Sequence, residues 1–200
     1  MIDDRSPRIG AVVLAAGASA RLGFPKQLIL HEGQPLVRRI ALAAVEAGAE
    51  PVVIVLGANA NMIAPALDGL ASVRAIVNHE WNKGLASSLA AGIASVFADN
   101  RCEAVLVTLA DQPLVDAAAL RRLMTAFDAK RRIVASAYDD TIGVPAVFAR
   151  EYVEELMRLS GDTGASAWLR GRAAEVTRIP LGSAAVDIDT LADVAGLNQD

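Results

Sequence analysis

A chain of 200 residues with 54% hydrophobic and 21% charged side chains can fill one sizeable core and is not a disordered sequence. Its net charge of −4 and its 4% aromatic content exclude a general polyanion binder and a stacking platform for single-stranded nucleic acid. The single cysteine, Cys102, excludes an intramolecular disulfide, His31 and His79 are too few and too scattered for a zinc site, and no apolar run approaches the about 20 residues that span a membrane.

The first run, "RIGAVVLAAGASARLGFPK" (8–26), admits two readings. It has the basic flank, apolar stretch and Ala-Ser-Ala of an export signal, or it is a buried strand that opens into a small-residue loop. Asp3 and Asp4 offset Arg5 and Arg8, Gly10 interrupts the apolar stretch, and the rest of the chain needs a strand here. The strand reading, and with it a cytoplasmic location, is preferred. "IGAVVLAA" (9–16) is then the first strand, and "QPLVRRIALAAVEAG" (34–48) a helix opened by Pro35. "PVVIVLG" (51–57) is a second strand, a short helix covers 63–67, and "VRAIVN" (73–78) is a third strand. "GLASSLAAGIASVFAD" (84–99) reads as a helix with Leu85, Leu89, Ile93 and Val96/Phe97 on its apolar side. "EAVLVTLA" (103–110) is a strand ending on Asp111, and "DAAALRRLMTAFDA" (116–129) a helix capped by Asp116. "RIVASAY" (132–138) and "GVPAVFA" (143–149) are further strands, "REYVEELMRLS" (150–160) a helix, and "GDTGASAWLRG" (161–171) a loop turning into a helix. "AEVTRIPL" (174–181) predicts an edge strand, and "AVDIDTLADVAGLN" (185–198) a short strand running into a last helix.

Strands alternating with helices predict an α/β fold with a mostly parallel sheet and helices on both faces. No linker or repeat divides residues 1–200, so one domain is expected, with residues 1–8 as a flexible N-terminus. Ligands of open α/β sheets sit at the carboxyl ends of the strands, and five features fall there. In "LAAGASARLGFPK", Gly17, Ala18, Ser19 and Ala20 let backbone N–H groups approach an anion, and Arg21 and Lys26 supply the positive charge that a triphosphate needs. Neither the P-loop nor the G-x-G-x-x-G spacing is present. In "TLADQPLV", Asp111 ends a strand as a hard oxygen ligand suited to Mg²⁺, or as the start of a turn. In "DIDTLADV", Asp187 and Asp189 face one side of a strand, where they repel unless a cation lies between them, while Asp193 caps the last helix. In "NHEWNKGLASSL", Asn78, Gly84, Ser87 and Ser88 either read a base or ribose or serve as helix caps. Finally, Gly143 and Pro145 shape a late strand, and Asp162 to Gly164 opens a helix with room for a second anion.

"LAAGASARLGFPKQL" resembles the signature loop of the nucleotidyltransferases related to molybdenum cofactor cytidylyltransferase. The resemblance continues in order through "NKGLASSLAAGI", "LADQP", "GVPAVF", "GDTGA" and "DIDTLADV", over nearly the whole chain. It implies a MobA-like, Rossmann-type fold and an enzyme in which a phosphate on the acceptor attacks the α-phosphorus of a nucleoside triphosphate. The reaction implied is transfer of CMP from CTP to molybdopterin, giving the cytosine dinucleotide and pyrophosphate. Gly17, Arg21 and Lys26 are implied to bind the triphosphate, with Lys26 near the reacting oxygens and Arg21 and Asp111 also catalytic. Ala15, Ala16, Asn78, Gly84 and Ser88 are implied around base and ribose, Asp111 and Asp189 as Mg²⁺ ligands with Asp187 outside them, and Gly143, Pro145, Asp162 and Gly164 on the acceptor side. The chain departs from the family at Val144, where His or Asn is common, and at Ser166, where Arg is common, leaving Arg170 or Arg172 to substitute. The other readings are a sugar or polyol phosphate as acceptor, and a non-catalytic protein that delivers the cofactor to a recipient molybdoenzyme. No nucleic-acid or membrane partner is expected.

Overall fold

The runs of Val, Ile, Leu and Ala become strands because they alternate between two apolar faces, each covered by helices. The computed structural model describes residues 7–98 and 100–197. Of the expected flexible start, residues 1–6 lie outside the described residues, while Arg8 is tied down, its guanidinium pairing with Glu50 at 3.1 Å. In chain order the elements begin β1 (Ile9–Ala15), β2 (Leu30–His31), β3 (Gln34–Pro35), α1 (Leu36–Ala47), β4 (Val52–Leu56), α2 (Ala60–Ile63) and β5 (Val73–Val77). There follow α3 (Leu85–Phe97), β6 (Ala104–Leu109), α4 (Ala117–Ala126), β7 (Ile133–Tyr138) and β8 (Thr141–Ala149). The last are α5 (Val153–Met157), α6 (Ala165–Gly171), β9 (Thr177–Pro180) and α7 (Leu191–Leu197).

Seven strands form one sheet in the order β5-β4-β1-β6-β8-β7-β9. β1 pairs in parallel with both β4 and β6, β4 with β5, and β7 with β9, whereas β8 runs antiparallel to β6 and β7. The antiparallel strand follows from a tight turn in which Asp139 and Asp140 both adopt positive φ, the geometry of a two-residue hairpin. Residues alternate as period-2 strands must. Ala11, Val13, Ile54, Leu56 and Leu106 pack under α1 and α4, and Val12, Leu14, Val53, Val55 and Val107 pack under α3, α5 and α6. The expected α/β fold with a mostly parallel sheet and helices on both faces is the observed one.

Three local expectations change. Residues 185–189 form no strand: Ala185 ends a 3₁₀ turn, Gly182–Ala185, and residues 186–189 cross the strand ends with Ile188 N–H donating to the Asp111 carbonyl at 3.0 Å instead of entering a ladder. Leu85 lies off the buried stripe of α3, which is Ala86, Leu89, Ile93 and Val96; as the first helical residue it stands 39% exposed at the sheet's carboxyl end. The helix at 150–160 shortens to a 3₁₀ turn, Arg150–Tyr152, and α5. The β2–β3 pair has no counterpart in the sequence reading.

α3 lies close enough to the sheet that Gly92 has no room for a side chain. A Cβ there would stand 2.4 Å from Val12 Cγ1 and 2.8 Å from Val55 Cγ2, neither of which is the end of a long flexible side chain. Gly92→Ala should therefore cost about 1–3 kcal/mol of overpacking in spite of alanine's better helix propensity. Urea unfolding of the variant checks this, and a stability gain would refute it.

Candidate active site

The chain runs outward from β1 through β4 to β5, then returns to β6 on the other side of β1. At such a reversal the loops leaving neighbouring strands diverge and open a crevice at their carboxyl ends. A cleft of about 430 Å³ lies there, and it brings together Ala15, Ala16, Gly17, Lys26, Gly84, Ser88, Asp111 and Asp162. Most of the sequence-predicted nucleotide residues thus share one cavity, drawn from four separate segments.

The loop after β1 is held by its own polar groups. Ser19 takes a positive φ of 54°, its carbonyl accepts from the N–H of Leu22 and Gly23, and its Oγ accepts from Lys26 N–H at 3.1 Å. Gln27 is only 2% exposed, and its Nε2 donates to the carbonyls of Ala15 and Gly17 at 3.0 Å each. It thereby fixes the start of the loop to its end. Sequence reasoning passed over Gln27, because an amide beside an apolar run looks like a surface residue until its partners are known. Gly17 itself faces open space: a Cβ there would meet no atom within 4 Å.

Charge gathers at one end of the cleft. Lys26 Nζ lies 2.5 Å from Asp111 Oδ2 and 2.8 Å from Asp189 Oδ1, and Arg21 Nη2 lies 2.6 Å from Asp189 Oδ2. Burial by itself would lower the Lys26 pKa, but the two carboxylates outweigh it and hold the ammonium above its ordinary value. The hydrogen bond from Lys26 in turn holds Asp189 below the usual carboxylate range. Asp187 shifts the other way: desolvation first, then the charges of Asp111 and Asp189, raise it. Asp111 Oδ1 is buried with no hydrogen-bond partner, a free hard oxygen directed away from Lys26's contact. A divalent cation fits such an atom. Among the described residues no group of three or more His, Cys, Asp or Glu is placed to hold a metal, so an ion here would complete its shell from phosphate oxygens and water, as Mg²⁺ commonly does.

Other predicted residues lie elsewhere. Asn78 does not line the cleft: its Nδ2 donates to Ser87 Oγ and Ser88 Oγ at 2.9 and 3.0 Å, and its Oδ1 accepts from Glu80 N–H, so its amide secures the start of α3. The amide caps no backbone group of α3, whose N-cap is Gly84. Asp162, assigned to the acceptor side, lines the same cleft as Lys26 and Asp111, and Gly164 packs against Leu85, where a Cβ would stand 2.5 Å from Leu85 Cδ2. Pro145 is buried in β8, its carbonyl accepting from Ser136 Oγ at 2.7 Å. Gly143 leaves space for the Tyr138 hydroxyl, which an added Cβ would meet at 2.4 Å, with Ser166 Oγ at 3.3 Å. Arg172 is committed to Glu155 and Glu175 and lies 4.7 Å over the Trp168 ring. Arg170, one helical turn beyond Ser166 on the same face of α6, is exposed and stays available. Trp81 and Asn82, which sequence reasoning did not single out, also line the cleft.

A family model described as MobA-like NTP transferase domain matches residues 11–177. Nicotine blue oxidoreductase of Paenarthrobacter nicotinovorans is 35% identical over 203 residues, which span 96% of this chain and 97% of that protein. Among solved structures, Rv0371c from Mycobacterium tuberculosis H37Rv matches with a TM-score of 0.85 and 31% identity over 98% of this chain and 100% of its own. A structure of Rv0371c in complex with manganese matches with a TM-score of 0.74 and 29% identity over 95% of this chain and 97% of that one.

The position of Asp189 depends on Asp193, whose Oδ2 accepts from the N–H groups of Asp189 and Thr190 at 2.9 and 2.7 Å. Those bonds hold the Asp193 carboxyl below its ordinary pKa. A carboxylate depressed on folding adds stability above its unfolded pKa of about 3.9, and that stability is lost as pH falls through the folded value. Asp193→Asn should therefore lower the urea midpoint at pH 7, and the deficit should shrink as the pH is taken below about 4. A deficit that stays constant across that range would refute the linkage.

Proposed function

The chain belongs to the MobA-like NTP transferase family, and from that premise we propose that it transfers CMP from CTP to the phosphate of molybdopterin, releasing pyrophosphate. The observation that carries the reading is the Lys26 ammonium between Asp111 and Asp189, at the end of a small-residue loop open to an anion. Phosphoryl transfer asks a protein mainly for positioning and for charge neutralisation, and this site supplies both without a catalytic histidine. Gly17 offers its backbone to the phosphates, and Lys26 and Arg21 offset their charge. Asp111 and Asp189 would hold Mg²⁺, with Asp187 outside them. When bound, that ion supplies neutralisation of the triphosphate and of the leaving pyrophosphate. An acceptor phosphate oxygen bonds to the α-phosphorus as the bond to the bridging oxygen of the leaving pyrophosphate breaks. Arg170, with the Tyr138 and Ser166 hydroxyls nearby, faces the acceptor. A recipient molybdoenzyme then takes the product.

Pyrophosphate release with CTP and molybdopterin in the presence of Mg²⁺ tests the reading. Release only with a sugar or polyol phosphate would change the acceptor, and binding of molybdopterin with no release would leave a delivery protein. A redox activity is the second reading, favoured by the 35% identity to nicotine blue oxidoreductase. Reduction of nicotine blue by an added two-electron donor, which is oxidised in step with it, with no pyrophosphate formed, would establish it in place of transfer.

Two variants separate binding from folding. Asp111→Asn should keep the fold and lose most Mg²⁺-dependent turnover, because a neutral amide is a poor ligand for this ion; near-normal pyrophosphate release would sink the assignment. Gly17→Val should change stability by no more than about 0.5 kcal/mol, since a Cβ at this position meets no protein atom within 4 Å, yet weaken CTP binding at least tenfold. Equal CTP affinity in the two proteins would remove Gly17 from the site.

A further inference from the structure

Besides Lys26 and Asp111, the cleft is walled by Trp81 and Asn82 of the 3₁₀ turn Trp81–Lys83 and by Leu85 at the start of α3. Trp81 and Leu85 keep 37% and 39% of their surface exposed, so two large apolar side chains of the cleft lining are left partly open. The turn is fitted to its place. A Cβ on Gly57 would stand 2.6 Å from Trp81 Cβ and 2.8 Å from Ala16 Cβ, so the bare backbone at Gly57 lets Trp81 lie beside the loop after β1. Gly84, at φ +104°, brings the end of the turn against the backbone of Gly161, which a Cβ would meet at 2.3 Å.

The polar groups of this wall are unequally committed. Asn78 spends its amide on Ser87, Ser88 and Glu80, and Lys83 pairs with Glu80 at 2.5 Å. The Asn82 side chain and the Trp81 indole N–H have no hydrogen-bond partner among the described residues. A part-exposed indole beside an amide with no partner among the described residues, both lining the cleft that Lys26 also lines, is the pairing that binds a heteroaromatic ring: the ring stacks, and the amide offers one donor and one acceptor to its edge.

We propose that the nucleobase of the substrate lies against the indole of Trp81 and that its edge is read by the amide of Asn82. This rests on the nucleotidyl transfer proposed above, and it moves base recognition from Asn78 to the turn that follows it. Stacking on an aromatic side chain is worth roughly a tenfold change in affinity, in a manner largely independent of which base is present.

The test compares CTP with tripolyphosphate, which has the phosphates without the base, both measured with Mg²⁺ by equilibrium binding. Trp81→Ala and Asn82→Ala should each weaken CTP about tenfold and leave tripolyphosphate unchanged, and Trp81→Phe should recover most of the affinity. The chain has two tryptophans, and Trp168 is packed edge-to-face on Phe148 and Tyr152, with ring centroids 5.7 and 5.4 Å away. In Trp168→Phe the remaining emission is that of Trp81, and CTP should quench it while tripolyphosphate does not. Unchanged CTP affinity in both alanine variants overturns the proposal, as does equal loss of both ligands, which would mark a structural role. Wild-type protein that binds neither ligand overturns the nucleotidyl-transfer reading itself.

Discussion

The ammonium of Lys26, shared by two carboxylates, is the contact on which the charged end of the site depends. Asp111 and Asp189 come from the end of β6 and from the segment before α7, and Asp187 adds a third acid beside them. Without a cation, like charges at this spacing would repel and spread the strand ends. Lys26 at 2.5 and 2.8 Å, and Arg21 at 2.6 Å, keep them together. Asp187 shifts the other way, raised first by burial and then by the charges of Asp111 and Asp189.

Such an arrangement works only if the loop carrying Lys26 cannot drift. Its backbone closes on Ser19, and Gln27 ties the carbonyls of Ala15 and Gly17 from below. A buried amide that loses one partner leaves an unsatisfied polar group, so the tie is worth more than an ordinary surface hydrogen bond. Beneath it, Leu22, Ile29, Leu36 and Ile188 form a small apolar cluster of their own, with Val194 and Leu197 packed on it. The loop, the start of α1 and the final segment are therefore one packed unit, which is how residues 21, 26 and 189 meet although most of the chain separates them.

The remaining wall of the cleft is built by close backbone approach. Gly57 and Gly84 sit where an added Cβ would meet neighbouring atoms at 2.6 and 2.3 Å. These contacts join the loop after β1, the turn before α3 and the loop before α6 into one rim. The charged Lys26 and Asp111 and the part-exposed Trp81 and Leu85 then share a cleft of about 430 Å³.

Much of this was legible in the residues themselves. Period-2 apolar runs separated by helical runs dictate strands and helices wherever they fall, so the sheet, its helical layers and the placing of chemistry at its carboxyl ends follow from local pattern. That Gly17 and Asp111 stand just past the carboxyl ends of β1 and β6 was legible for a similar reason, since each follows an apolar run. What the sequence could not decide depends on partners far away in the chain. Gln27 and Asn78 both carry side-chain amides, yet Gln27 lines and ties the cleft while Asn78, outside its lining, is spent on Ser87 and Ser88. Asp187 and Asp189 alternate as a strand would, but no strand runs beside them, so their segment crosses the sheet's end instead. Leu85 fits the helical stripe by periodicity and is left exposed because the helix begins there, over the cleft. Local pattern determined which elements form; which polar group meets which partner was decided only when the strands closed into one sheet, because a hydrogen bond or an ion pair acts over a few ångströms of space and is blind to distance along the chain.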